Sequence, residues 1–215
     1  MRSMQPAPKH GSLRILLATC AIAALALSLF AKDFVKPAAQ PAKTYPAHDD
    51  HADEKVAIAA DPYDTSDKTK IFSINFHEHG FLPVFFVVTN DGDQPISIAN
   101  TQITLITANR SKLTPASSED IYRRLANPQA ATRPSPIPIP LPRKNVKGSI
   151  NQKDRDEVES SQFAAKAVEP HTTQSGFLFF DIGDIPLAGA HIDITGVNDA
   201  KGTELMYFEI QLDKR

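Results

Sequence analysis

From Lys70 onward the chain alternates apolar and polar positions with a period of two. Phe72, Ile74 and Phe76 alternate with Ser73, Asn75 and His77, which predicts a half-buried strand over 70–77. A denser run, Leu82 to Thr89, follows and ends in Asn90-Asp91-Gly92-Asp93, a tight-turn signal. Ile96 and Ile98, then Ile103, Leu105 and Ile106, supply one long broken strand or two. Gly176 to Ile182, His191 to Val197 and Glu204 to Leu212 complete the set, and Asp199-Ala200-Lys201-Gly202 links the last two as a hairpin. Six or seven short strands with turns between them predict an all-β fold, an antiparallel β-sandwich.

Two of these strands are apolar on both faces. Val84, Phe86 and Val88 oppose Phe85 and Val87, and Leu178, Phe180 and Ile182 oppose Phe177 and Phe179. In a two-layer sandwich only one face of each strand meets the core, so such strands require a second cover. One expectation is that an insertion folds over the sheet as a lid. The other is an exposed surface of Phe85, Val87, Phe177 and Phe179, joined by Ile137, Ile139 and Leu141, that docks an envelope protein or a second copy.

The insertion, about 108–172, breaks the strand rhythm. Ser117-Ser118-Glu119-Asp120 resembles a capping box and predicts a short helix with Ile121, Tyr122 and Leu125 on one side. Asn151 to Ala167 has helix-forming composition, but its charged first half predicts an exposed, frayed helix. Between them Pro134, Pro136, Pro138, Pro140 and Pro142 fall on alternate positions. That period lacks the i, i+3 spacing read by polyproline-binding grooves. It removes every donor from one edge of an extended strand, which predicts a blunted edge strand or a stiff strap.

Ahead of the domain, Arg2, Lys9 and Arg14 precede 17 uncharged residues, Ile15 to Ala31. A basic segment before an apolar run predicts an export signal or a hydrophobic helix anchored in the membrane through 15–31. Either places the rest of the chain outside the cytoplasm, since the positive end stays inside. Cys20 lies inside this run and follows Thr19, which reads as a small apolar residue and not as a lipidation site. Residues 32–69, rich in Ala, Pro, Asp and Lys, predict a flexible tether, with His48 to Glu54 as solvated charge. The domain is then 70–215.

Composition narrows the chemistry. A net charge of −2 argues against binding nucleic acid through a basic surface, and a single Cys excludes an intramolecular disulfide and a Cys-rich zinc site. The sharpest local pattern is His77-Glu78-His79. On a strand, i and i+2 share a face, so His77 and His79 are candidate copper or zinc ligands if His171, His191 or Asp193 supplies a third. No GxSxG, HExxH, Walker loop or GxGxxG is present, so a hydrolase of unknown class is a second alternative without named residues. The acids of 153–159 read as a solvated helix face, and no cofactor is implied.

Three stretches, Leu82 to Gly92, Val168 to Asp181 and Gly202 to Ile210, together resemble exported bacterial immunoglobulin-like β-sandwich domains that are largely uncharacterised. There a hydrophobic strand runs into an Asn-x-Gly corner, and a Pro-initiated turn precedes a Gly-containing strand ending in Phe and an acid. His171 stands where those domains usually carry Gly. The resemblance covers roughly 70–107 and 168–215 and implies fold and location only. The expectation is a non-catalytic, exported or membrane-anchored binding or structural module of a bacterial envelope.

Overall fold

A computed structural model describes residues 34–127, 150–205 and 207–213. Two four-stranded antiparallel sheets pack face to face. Sheet 1 has the order β1 (His48–His51), β2 (Val56–Pro62), β3 (Phe81–Asn90), β8 (Thr172–Asp181). Sheet 2 has the order β10 (Phe208–Gln211), β9 (His191–Thr195), β5 (Gln102–Ile106), β6 (Lys112–Leu113), and β4 (Ile96–Ser97) pairs separately with β7 (Ala167–Val168). The helices are α1 (Ser66–Thr69), α2 (Ser118–Ala126) and α3 (Gln152–Ser161). None of them is long and apolar enough to cross a membrane; the apolar run 15–31 lies outside the described residues.

Alternation fills the core between the sheets. Ile58, Val84, Phe86 and Phe180 from sheet 1 meet Leu105, Ile192, Ile194 and Phe208 from sheet 2. Outward positions of sheet 2 such as Thr104, Asp193 and Glu209 are polar, as for a sheet with one wet face. Sheet 1 differs. All ten residues of β3 are buried, because a third layer covers its other face.

The tether reading of 32–69 is corrected by these strands. β2 lies between β1 and β3, with seven residues in register from Val56↔Asn90 to Pro62↔Val84. Its sequence, VAIAADP, hides the period of two because Ala57 and Ala59 face the cover with side chains too small to mark a buried face. The His48–Glu54 cluster is likewise part of the fold. Asp49 Oδ2 accepts from the Glu209 amide at 3.0 Å, and the His51 ring stacks on Phe208 at 4.0 Å, so β1 links the edges of the two sheets.

The opposite edge of sheet 1 is closed without a further strand. Along β8 the carbonyls of Ser175, Phe177 and Phe179 accept from Lys36 Nζ, the Phe163 amide and the Ala116 amide, at 3.1, 3.0 and 2.7 Å. Gly176 permits that approach, since a Cβ there would sit 2.5 Å from Phe163 Cα. An edge met in this way has few groups left to template aggregation.

A fragment 70–215 therefore lacks two strands of sheet 1 and exposes the β3 edge. It is expected to show no cooperative urea transition, whereas 34–215 unfolds cooperatively. A cooperative transition for 70–215, followed by circular dichroism, contradicts this assignment.

Candidate functional site

The third layer covers the face that the sequence marks as a partner surface. Phe85, Val87, Phe177 and Phe179 are all buried there, so that surface is corrected to an interior. Three separated segments supply the cover: 34–45, 63–76 and the pair α2 with α3. The lid expectation is met in part by Ile121, Tyr122 and Leu125, which α2 presents to the sheet. Ile137, Ile139 and Leu141, with the whole proline tract, lie outside the described residues.

Aromatic rings carry most of the contact. Phe72 stands at the centre, with ring centroids 4.9 Å from Phe177, 5.0 Å from Phe76 and 5.4 Å from Phe34. Edge-to-face and tilted contacts prevail over stacking: Tyr63 meets Phe177 at 4.9 Å and 87°. Phe72, Ile74 and Phe76 do alternate in sequence, but they pack on the sheet from an irregular segment that ends in a 3-10 turn, Phe76–His79. The strand expected over 70–77 is therefore absent.

That turn also separates the two candidate metal ligands. At three residues per turn, i and i+2 point about 120° apart, so His77 and His79 do not share a face. His77 has a different task. Tyr63 N donates to Pro83 O at 2.9 Å, and in an antiparallel pair the reciprocal bond would come from the residue 83 amide, which proline lacks. His77 Nε2 donates to Tyr63 O at 2.9 Å in its place, which fixes the proton on Nε2. His79 Nδ1 is buried without a hydrogen-bond partner, and its carbonyl accepts from Arg124 Nη1 at 3.3 Å.

The proposed third ligands go elsewhere. His171 meets Asp93 at 3.1 Å, and His191 faces Asp193 at 3.6 Å on the outer side of sheet 2. Among the described residues no three His, Cys, Asp or Glu side chains form a group able to hold a metal ion.

A functional contact that sequence reading misses is Glu157. Its carboxylate is buried and accepts from the Ser73 amide at 2.9 Å, the Ile74 amide at 3.1 Å and the Ser73 hydroxyl. Three donors offset the loss of hydration that a buried carboxylate suffers. The contact fastens α3 to the segment 70–76, two parts of the cover 84 residues apart in sequence. A detectable signal is the spacing Glu157, Val158, Ser161, the buried stripe of an otherwise hydrophilic helix. The helix is pinned, not frayed.

Beside it Tyr122 donates to Glu159 Oε1 at 2.9 Å, with the Arg155 guanidinium 4.9 Å from the ring. Burial, then the hydrogen bond to Glu159, pushes its hydroxyl up to about 12. Tyr63 is also pushed up to about 12, by burial and then by the Asp61 carboxylate. Two open clefts flank this architecture. One of about 320 Å³ lies between Ser118, Gln162 and the β8 edge, and one of about 350 Å³ lies among Glu54, Asp93 and Asp199.

Glu157→Ala strands the buried Ile74 amide and removes the acceptor of the more exposed Ser73 amide, and it is expected to cost about 1–3 kcal/mol in urea unfolding, while Glu157→Gln, keeping one acceptor, costs roughly half as much. An alanine variant as stable as the parent contradicts the fastening role. A second expectation concerns alkali. Both tyrosines ionise later in the folded chain than in the unfolded one, so stability holds below about pH 10 and falls between about pH 10 and 12. Denaturation midpoints at pH 8 and 11 should diverge, and the double variant Tyr63→Phe, Tyr122→Phe should narrow the gap; an unchanged gap contradicts the assignment.

Comparison with protein-family models, with curated proteins and with solved structures finds no match.

Proposed function

We propose that this chain is a non-catalytic envelope module, an immunoglobulin-like sandwich held by a retained N-terminal anchor on the periplasmic side of a bacterial inner membrane. The observation that carries this reading is the junction between address and domain. Arg2, Lys9 and Arg14 precede the uncharged run Ile15–Ala31, and packed residues begin at Phe34. Cleavage after Ala31 calls for a small side chain two positions earlier, where Leu29 stands. The excess of positive charge before the run supports an outward-facing domain.

The immunoglobulin-like assignment draws support from strand order. β10-β9-β5-β6 has the order G-F-C-C′ of a variable-type sheet, and β2-β3-β8 has the order A-B-E of its partner. The bacterial source is taken from the resemblance of the strand at 82–92 and the turn at 168–181 to exported bacterial domains. An open polar face on sheet 2 supports a binding or structural role.

Expression of the full chain in a Gram-negative host tests this directly. The protein should resist carbonate extraction from membranes, keep its N-terminal segment by mass, and be cleaved by protease in spheroplasts but not in intact cells. Recovery as a soluble cytoplasmic protein overturns the reading.

A further inference from the structure

Three turns converge at the end of the sandwich where β1 meets β2. They are 53–55 between β1 and β2, the stretch 90–96 that leaves β3, and 199–205 between β9 and β10. Together they line the open cleft of about 350 Å³. Hydrogen bonds fix its walls to one another. The Asp91 amide donates to Lys55 O at 2.8 Å, and Lys55 itself takes a left-handed φ of 57°. Ser97 and Asn198 exchange amide-to-carbonyl bonds at 2.8 and 2.9 Å, and the Leu205 amide donates to Val197 O at 2.7 Å. Buried Asn90 holds its own turn, donating to Gln94 O at 2.8 Å and to Val168 O at 3.1 Å. Asp199 does the same for the third turn, where its Oδ1 accepts from the Lys201 and Thr203 amides, both at 2.8 Å. A cleft with walls tied in this way is formed before any ligand arrives.

The lining divides into a floor and a rim. Pro95, Ile96 and Leu205 give an apolar floor, and Asp53, Glu54, Asp93 and Asp199 supply carboxylates. Lys55 is the cation among the described lining residues; it lies 3.5 Å from Asp93, which also meets His171 at 3.1 Å. Those pairings use Asp93. They leave Asp53, Glu54 and Asp199 uncompensated by lysine or arginine among the described residues. The carboxylates form no group able to hold a metal ion. An acidic rim over an apolar floor instead matches an organic cation on an aliphatic stem, the two halves of a lysine or arginine side chain. Because the cleft is open, such a side chain can enter while its backbone stays outside.

We infer that this cleft docks a basic peptide segment of a partner protein, with a lysine or arginine stem on Ile96 and Leu205 and its charged head among Asp53, Glu54 and Asp199. The inference rests on the binding role proposed above and draws nothing from the membrane anchor.

Dye-labelled pentalysine, titrated with the full chain in a non-ionic detergent, is the probe. Fluorescence anisotropy is expected to show saturable binding, weakened about tenfold by Asp53→Asn combined with Glu54→Gln. Both replacements keep the side-chain shape and lie in the turn between β1 and β2, so the fold is retained. The control pair Asp67→Asn with Glu78→Gln removes the same charge beyond the far ends of β2 and β3 and leaves the affinity unchanged. Pentalysine acetylated on every ε-amine does not bind, and the methyl resonances of Ile96 and Leu205 shift as the unmodified peptide is added. Equal weakening by the two double variants overturns the inference, because it shows diffuse attraction to an acidic surface. Absence of pentalysine binding, or equal binding of the acetylated peptide, overturns it as well. None of these outcomes touches the anchor, which carbonate extraction tests separately.

Discussion

Strand β3 buries every side chain from Phe81 to Asn90, and the rest of the domain is arranged around that requirement. One face is satisfied by the facing sheet, as in any sandwich. The other face carries Phe85 and Val87, continued across β8 by Phe177 and Phe179, and leaving it in water would expose a large aromatic area. No third sheet is available to close it. The chain instead brings three separate segments over the same patch, and each is held by a polar contact of its own.

Those contacts show how a cover without regular strands is made specific. Glu157 joins α3 to the 70–76 segment through two amides and a hydroxyl. His77 supplies the hydrogen that Pro83 cannot give to Tyr63, so the cover repairs a defect in the sheet beneath it. The Ala42 amide donates to Thr89 Oγ1 at 2.9 Å, which secures the 34–45 segment to β3 itself. Buried polar groups of this kind fix one arrangement among many that would bury similar apolar area. The same logic links the fold to its proposed setting. Because Phe34 belongs to the cover, the folded domain begins three residues after the apolar run ends.

Much of this was legible in the residues and some was not. The strands β3, β8 and β9, the capping box that starts α2, and the need for a cover over a doubly apolar sheet all follow from local pattern. In α2 Ser117 accepts from the Asp120 amide and Asp120 accepts from the Ser117 amide, as the spacing predicts. β1 and β2 were hidden because alanines and charges mask a strand whose burial comes from its neighbours on both sides. The 70–77 alternation misled for the converse reason. Phe72, Ile74 and Phe76 point at one apolar patch, and an irregular segment over a sheet produces the same period as a strand. For Glu157 the sequence carries only the stripe it forms with Val158 and Ser161; its partners Ser73 and Ile74 are distant in sequence and come to it only through three-dimensional packing. The metal pair failed with the strand that was to carry it.

The central claim, that β3 is sealed on both faces, is tested most directly by native-state hydrogen exchange on the 34–215 domain. The account predicts that the amides of Leu82 and Val84 to Val88 exchange only through global unfolding and are the slowest in the protein, while those of β9, which has one open face, exchange at lower opening free energy. Amides of β3 that exchange faster than those of β9 would contradict it, because they would show that the cover opens while the sandwich stays folded.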